Sequence, residues 1–158
     1  MSEQALHVLV VDGDEQRLER VGRFLSEHYF YTVKTSNDSQ PAWQLVTRSK
    51  APFHVVLIDD AVPGELDRAP KLNGLDLLSK IKAHSPQTEI IIYTDPSMSD
   101  VEEALRAGAF RYLTKPFNLT ELAVLVRHAA EYQQLKRTES EKKAWSCLTI
   151  YAARHSRD

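Results

Sequence analysis

Three carboxylates follow short runs of residues built for burial. Asp12 ends the run Leu6-His7-Val8-Leu9-Val10-Val11, Asp14 stands two residues later, and Asp59 ends Val55-Val56-Leu57-Ile58. Carboxylates held within ~4 Å of one another repel by about 4 kcal/mol at an effective dielectric near 20. Such a cluster suits a hard divalent cation, and an all-oxygen donor set with an open position suits Mg2+. Singly, each acid is equally a turn former or a helix N-cap. Thr94 closes a further apolar run, Glu89 to Tyr93, and Lys115 follows Phe110-Arg111-Tyr112-Leu113. A hydroxyl and an ammonium facing carboxylates suit an anion bound against a metal, although alone they read as a turn residue and a surface charge. Pro116 is compatible with a cis bond that aims the lysine.

These residues need a scaffold that brings separate strand ends together. Short apolar or β-branched runs predict strands at Leu6–Val11, Val55–Ile58, Glu89–Tyr93 and Phe110–Leu113, and an alternating β-rich stretch predicts one at Phe30–Thr35. Between them lie helical patterns. Leu18, Val21, Gly22 and Leu25 share one face, with Arg17, Glu19, Arg20 and Arg23 expected to face out. Pro41 suits the first turn of a helix through about Arg48. Leu75, Leu77, Leu78 and Ile81 mark the next helix, ending near His84-Ser85-Pro86. Ser99 with Glu102, and Asn118 with Glu121, have capping-box spacing, and Gly108 fits a C-cap. Leu119, Leu122, Val126 and Ala129 line a last helix, which is expected to continue through the polar stretch from Gln133 to Lys143. In that tail Ala144, Leu148 and Tyr151, or Trp145, Leu148 and Ala152, share a face that wants a partner surface. Alternation of strands and helices predicts parallel βαβ units in a doubly wound α/β sheet with helices on both faces. Asp59 then lies in the crevice beyond the strand carboxyl ends, where such sheets hold ligands.

The bulk numbers agree with one ordinary domain of 158 residues, 42% hydrophobic and 27% charged. A net charge of -2 makes no case for nucleic-acid or membrane binding. The single cysteine, Cys147, rules out an internal disulfide. No apolar run approaches a membrane span, and the N-terminus lacks a signal-peptide pattern, so a cytoplasmic protein is expected.

Val10-Val11-Asp12, Leu57-Ile58-Asp59 with Pro63-Gly64 beyond it, Thr94, Gly108-Ala109, Tyr112-Leu113 and Lys115-Pro116-Phe117 resemble the receiver domain of two-component response regulators. The resemblance covers residues 5–130 and leaves 131–158 as a helical extension or linker toward an output module or dimer partner. It implies a flavodoxin-like five-stranded parallel sheet of order 2-1-3-4-5. It implies that Asp59 accepts a phosphoryl group from a histidine kinase or phosphotransfer protein, with Mg2+ held by Asp12, Asp14 and Asp59. Thr94 and Lys115 would contact the phosphoryl oxygens, and Tyr112 matches the switching aromatic. The charge added to Asp59 would draw Thr94 and Lys115 toward it and bias a two-state face of the fourth helix, fifth strand and fifth helix. The chain would be a switch and not a turnover enzyme.

The sequence departs from that family in places. Gly13 stands where a second acid is usual, so Asp14 is expected to reach in for it. Asp95 replaces a small residue beside Thr94, Val62 replaces a common Met, and the connection from Gly64 to Gly74 is long. These changes keep open a phosphorylation-independent protein-binding module on the same fold. A Mg2+-dependent phosphohydrolase would want a further acid two residues after its nucleophile, where this chain has Ala61. A nucleotide site would want a glycine-rich loop after a strand, and none is present.

Overall fold

The computed structural model describes residues 5–62, 73–94 and 98–155. Five parallel strands form one sheet in the order β2-β1-β3-β4-β5, as the family resemblance implies. They are β1 (His7–Val11), β2 (Thr32–Ser36), β3 (Val55–Asp59), β4 (Glu89–Thr94) and β5 (Arg111–Thr114). They alternate with α1 (Glu15–Tyr29), α2 (Ser39–Arg48), α3 (Gly74–His84), α4 (Met98–Arg106) and α5 (Leu119–His155). β3 and β4 are buried along their whole length, which is why they carry unbroken apolar runs instead of alternation. Side chains on one sheet face pack with Leu18, Val21 and Leu25 of α1 and with Leu122, Val126 and Ala129 of α5. The other face packs with Ala42 and Val46 of α2, Leu77, Leu78 and Ile81 of α3, and Ala104 of α4.

Two expected boundaries shift, each for a local reason. The second strand begins at Thr32, not Phe30, because Phe30 closes α1 in the left-handed region at φ 57° and its side chain is 81% exposed. The Tyr31 N–H then reaches back to the Leu25 carbonyl at 3.4 Å, a helix-terminating bond that the β-type aromatics conceal in the sequence. The fourth helix is already under way at Met98, so Ser99 lies inside it and is not its N-cap. Its other end follows the expected pattern: Gly108 has φ 106°, and the Ala109 N–H bonds the Ala104 carbonyl at 3.0 Å. Asn118 accepts a bond from the Glu121 N–H at 2.7 Å and opens α5 as its spacing predicts.

α5 runs without interruption from the sheet into the polar tail, as expected. Its packing ends near Gln133, which is buried, and Lys136, which pairs with buried Glu89 at the start of β4. Beyond that, Trp145, Leu148 and Ile150 are exposed. No helix among the described residues is long and apolar enough to cross a membrane.

Candidate functional site: an ion-pair cluster at the carboxyl ends of the strands

Asp59 is the last residue of β3, so its backbone is fixed by pairing with Tyr93 of β4 while its side chain clears the sheet edge. Asp12 follows β1, and its N–H bonds the Ser36 carbonyl at 3.0 Å, which ties it to the end of β2. Both acids are buried. The Lys115 Nζ donates to Asp59 Oδ1 at 2.5 Å and lies 3.6 Å from Asp60 Oδ1. The Lys115–Pro116 peptide is cis. Thr94 donates its hydroxyl to Asp60 Oδ2 at 2.5 Å. Asp59, Asp60, Thr94 and Lys115 therefore form one bonded group across the ends of three strands.

Gly74 makes this crowding possible. A Cβ there would stand 2.6 Å from the Asp59 carbonyl oxygen and 2.8 Å from the Asp60 Cα, so only glycine lets α3 start against the strand end. The helix is capped one residue earlier: Asn73 accepts from the Asp76 N–H at 2.8 Å, and the Asp76 carboxylate takes the Asn73 N–H.

Arg17 completes the cluster. Helical spacing assigns it to the outward face of α1, but its guanidinium turns to the strand ends. Nε donates to Asp12 Oδ2 at 2.5 Å, and one terminal nitrogen donates to Asp12 Oδ1 and to Asp59 Oδ2, each at 2.9 Å. Its side chain is only 22% exposed. The cause is helix geometry: side chains tilt toward the helix N-terminus, so a long one in the first turn reaches back over the strand that precedes it. The signal in the sequence is a cation one residue ahead of the apolar stripe, on a helix that follows an acid-ended strand.

Asp14, expected to reach toward a metal, caps α1 in this structure. Its Oδ1 accepts from the Gln16 N–H at 3.0 Å and the Arg17 N–H at 3.1 Å, capping α1, while its own N–H donates to Asp12 Oδ1 at 2.9 Å. Asp12 and Asp59 thus come together, and Asp14 faces the helix. Tyr112 on β5 is 43% exposed. Asp95 and the connection from Pro63 to Leu72 lie outside the described residues.

The acids titrate as a pair. Burial, the largest influence on both, pushes each carboxyl upward. At Asp59 the bonds from Lys115 and the Ala61 N–H more than offset it, and the pKa lies below the ordinary carboxylate value. At Asp12 the Arg17 bonds offset it only in part, and the pKa is raised. Arg17 is held in its charged form, chiefly by its hydrogen bond to Asp12. Tyr93, fully buried beneath the guanidinium, is pushed well above 10 by burial and by the two acids.

Receiver domains generally bind Mg2+ at such a site, and the donor set can be tested against that ion. Asp12 gives both oxygens to Arg17, Asp59 divides its oxygens between Arg17 and Lys115, and Asp14 caps a helix. No group of three acid, His or Cys side chains able to hold a metal occurs among the described residues. In this arrangement the described residues do not present a donor set that fits Mg2+.

Comparison with known proteins agrees with the geometry. The family model for the response regulator receiver domain matches residues 8–127. The regulatory protein AtoC of Escherichia coli is 32% identical over 138 residues, covering 82% of this chain and 26% of AtoC. The crystal structure of a response regulator receiver domain protein from Clostridium thermocellum superposes with a TM-score of 0.72 at 28% identity, covering 82% of this chain and 98% of that one. NtrX from Brucella abortus, in complex with ATP, superposes with a TM-score of 0.75 at 25% identity, covering 87% of this chain and 29% of that one. The chain spans about a quarter of the length of AtoC, the share of that protein that the match covers. With its sheet order, its acid-ended strands and its lysine in place, this chain belongs to the receiver domain family of two-component response regulators.

Proposed function

We propose that the domain is a signalling switch in which Asp59 takes a phosphoryl group from a histidine kinase or phosphotransfer protein. The observation that carries this reading is the convergence of Lys115 and Thr94 on the Asp59–Asp60 pair. An ionised carboxylate is a competent nucleophile toward phosphorus, and the low pKa of Asp59 keeps it ionised at neutral pH. In the transfer an Asp59 oxygen forms the new P–O bond. The P–N bond of the donor phosphohistidine breaks, its electron pair returns to the imidazole, and that nitrogen takes a proton from solvent. Lys115 neutralises charge on the transferred group as a point cation.

The acyl phosphate adds charge and acceptor oxygens beside Thr94 and Lys115. Thr94 exchanges its bond to Asp60 for one to the phosphoryl group. Thr94 pairs with Thr114 in the sheet, two residues beyond Tyr112, so its movement is felt along β5. Tyr112 turns inward, and the face of α4, β5 and α5 changes. Residues 131–158 serve as the arm that passes this change to a fused output module or to a second copy of the chain. A divalent ion such as Mg2+ would have to compete with Arg17 for the oxygens of Asp12 and Asp59.

The bridge from Arg17 to Asp12 and Asp59 favours a second reading: a phosphorylation-independent module that binds a protein partner through the same face. Incubation with a small acyl phosphate donor, with and without Mg2+, followed by intact mass, separates the two. The expected result is one added phosphoryl group on the wild type and none on Asp59→Asn. An unmodified wild type under both conditions overturns the first reading in favour of the second.

A further inference from the structure

The same turn of chain that lacks a third carboxylate supplies a cation. Gly13 brings no acid, Asp14 spends its carboxylate on capping, and three residues later Arg17 donates three hydrogen bonds to the two remaining acids. The guanidinium grips Asp12 with two nitrogens and extends the second to Asp59, a forked geometry that a lysine could not reproduce. It is also supported from below and behind. Its Cζ lies 5.8 Å from the centroid of the buried Tyr93 ring, and its own N–H is fixed by Asp14.

The geometry points to Arg17 as a resident cation that bridges Asp12 and Asp59 and, together with Lys115, balances the pair in place of a divalent metal. Two carboxylates this close and this buried need positive charge between them, and in this chain the protein provides it covalently. A divalent ion entering the site has to take Asp12 and Asp59 oxygens that already accept charge-assisted hydrogen bonds, and it has to expel a guanidinium of like charge. Metal affinity is therefore set by the cost of displacing Arg17. The inference does not depend on phosphorylation of Asp59, because it concerns how the acid pair is balanced at rest.

The test uses Mn2+ as the probe and contains no phosphoryl donor. Mn2+ binding is followed by electron paramagnetic resonance for the wild type, Arg17→Gln and Arg17→Ala. Removing a charged hydrogen-bond partner is expected to strengthen Mn2+ binding by about tenfold to a hundredfold. Asp12→Asn added to Arg17→Gln is expected to abolish that gain, which locates the ion at this site. In parallel, thermal unfolding of Arg17→Gln is expected to shift upward with added Mg2+, while that of the wild type stays unchanged. Should Arg17→Ala fail to fold, Arg17→Gln preserves much of the packing and carries the comparison. Wild-type Mn2+ binding as tight as that of Arg17→Gln overturns the inference, as does a gain that survives Asp12→Asn.

Discussion

β4 carries a buried ion cluster at each of its ends, and the two are built in opposite senses. At its start, Glu89 sits between Lys82 of α3 and Lys136 of α5, one acid between two cations. At its end, Thr94 joins a cluster of Asp12, Asp59 and Asp60 with Arg17 and Lys115, where acids outnumber cations. The first is a clamp: its lysines come from helices on opposite faces of the sheet, and it holds the last packed turn of α5 against the strand. Burial lowers the pKa of Lys82 there, against the opposing pull of Glu89. The second is a surplus of carboxylates at a strand carboxyl edge, balanced in part by Arg17 and Lys115. Buried charge alone does not mark a functional site. A surplus of carboxylates at the carboxyl edge of a parallel sheet, where such folds hold their ligands, does.

Substitutions can break this comparison, and the largest effect is expected at the acid-rich end. Arg17→Ala leaves two buried carboxylates facing each other and should lower stability by about 3 kcal/mol at neutral pH, read by urea unfolding. The loss should shrink as the acids protonate, and Asp12→Asn should restore much of it. A comparable loss for Arg23→Ala, whose ion pair is fully on the surface, would show that the site has no special imbalance.

Gly74→Ala comes next. The added Cβ would press on the backbone that presents Asp59, and a cost of about 2 kcal/mol is expected together with slower phosphoryl uptake. Unchanged stability would mean that α3 is free to retreat.

Glu89→Ala should cost about 1 to 2 kcal/mol, because both lysines can still reach water. Its signature is location: hydrogen exchange should rise in α5 around Lys136 and not around Asp59.

The smallest effect is the pH response. Asp59 has a lowered pKa when folded, so its contribution is present above the ordinary carboxylate value of about 3.9 and is lost as pH falls through the folded value. Asp12, raised, works in the opposite sense: its contribution is fully present at low pH and is lost as pH rises through its folded value. The two partly cancel, giving a shallow acid limb. Asp59→Asn should remove the Asp59 part of that limb, and an unaltered limb in that variant would contradict the assignment.

Much of this arrangement is legible in the sequence. The sequence locates every strand to within two residues: β1, β3 and β4 read as unbroken apolar runs because they are buried, while the largely exposed β2 and β5 read through β-branched and aromatic residues. Asp59, Thr94 and Lys115 are legible because they end such runs. Arg17 is not, because helical spacing assigns a residue to a face but says little of a long side chain in the first turn. Asp60, the partner of Thr94, is hidden beside Asp59, since only pairing across strands reveals which of the two adjacent acids the hydroxyl meets. The residue type of Asp14 suits both a metal ligand and a helix cap, and local hydrogen bonding decides between them. Gly74 gives no sign of its role, since a close approach to backbone from a distant strand leaves no trace in the neighbouring sequence.

By itself, the order of residues determined the alternation of strands and helices and the acids at the strand ends, because periodicity and burial are local properties of a chain. Only the folded molecule decided which cation stands between Asp12 and Asp59. That choice depends on distances between side chains carried on separate strands and a helix, and no spacing along the chain encodes them.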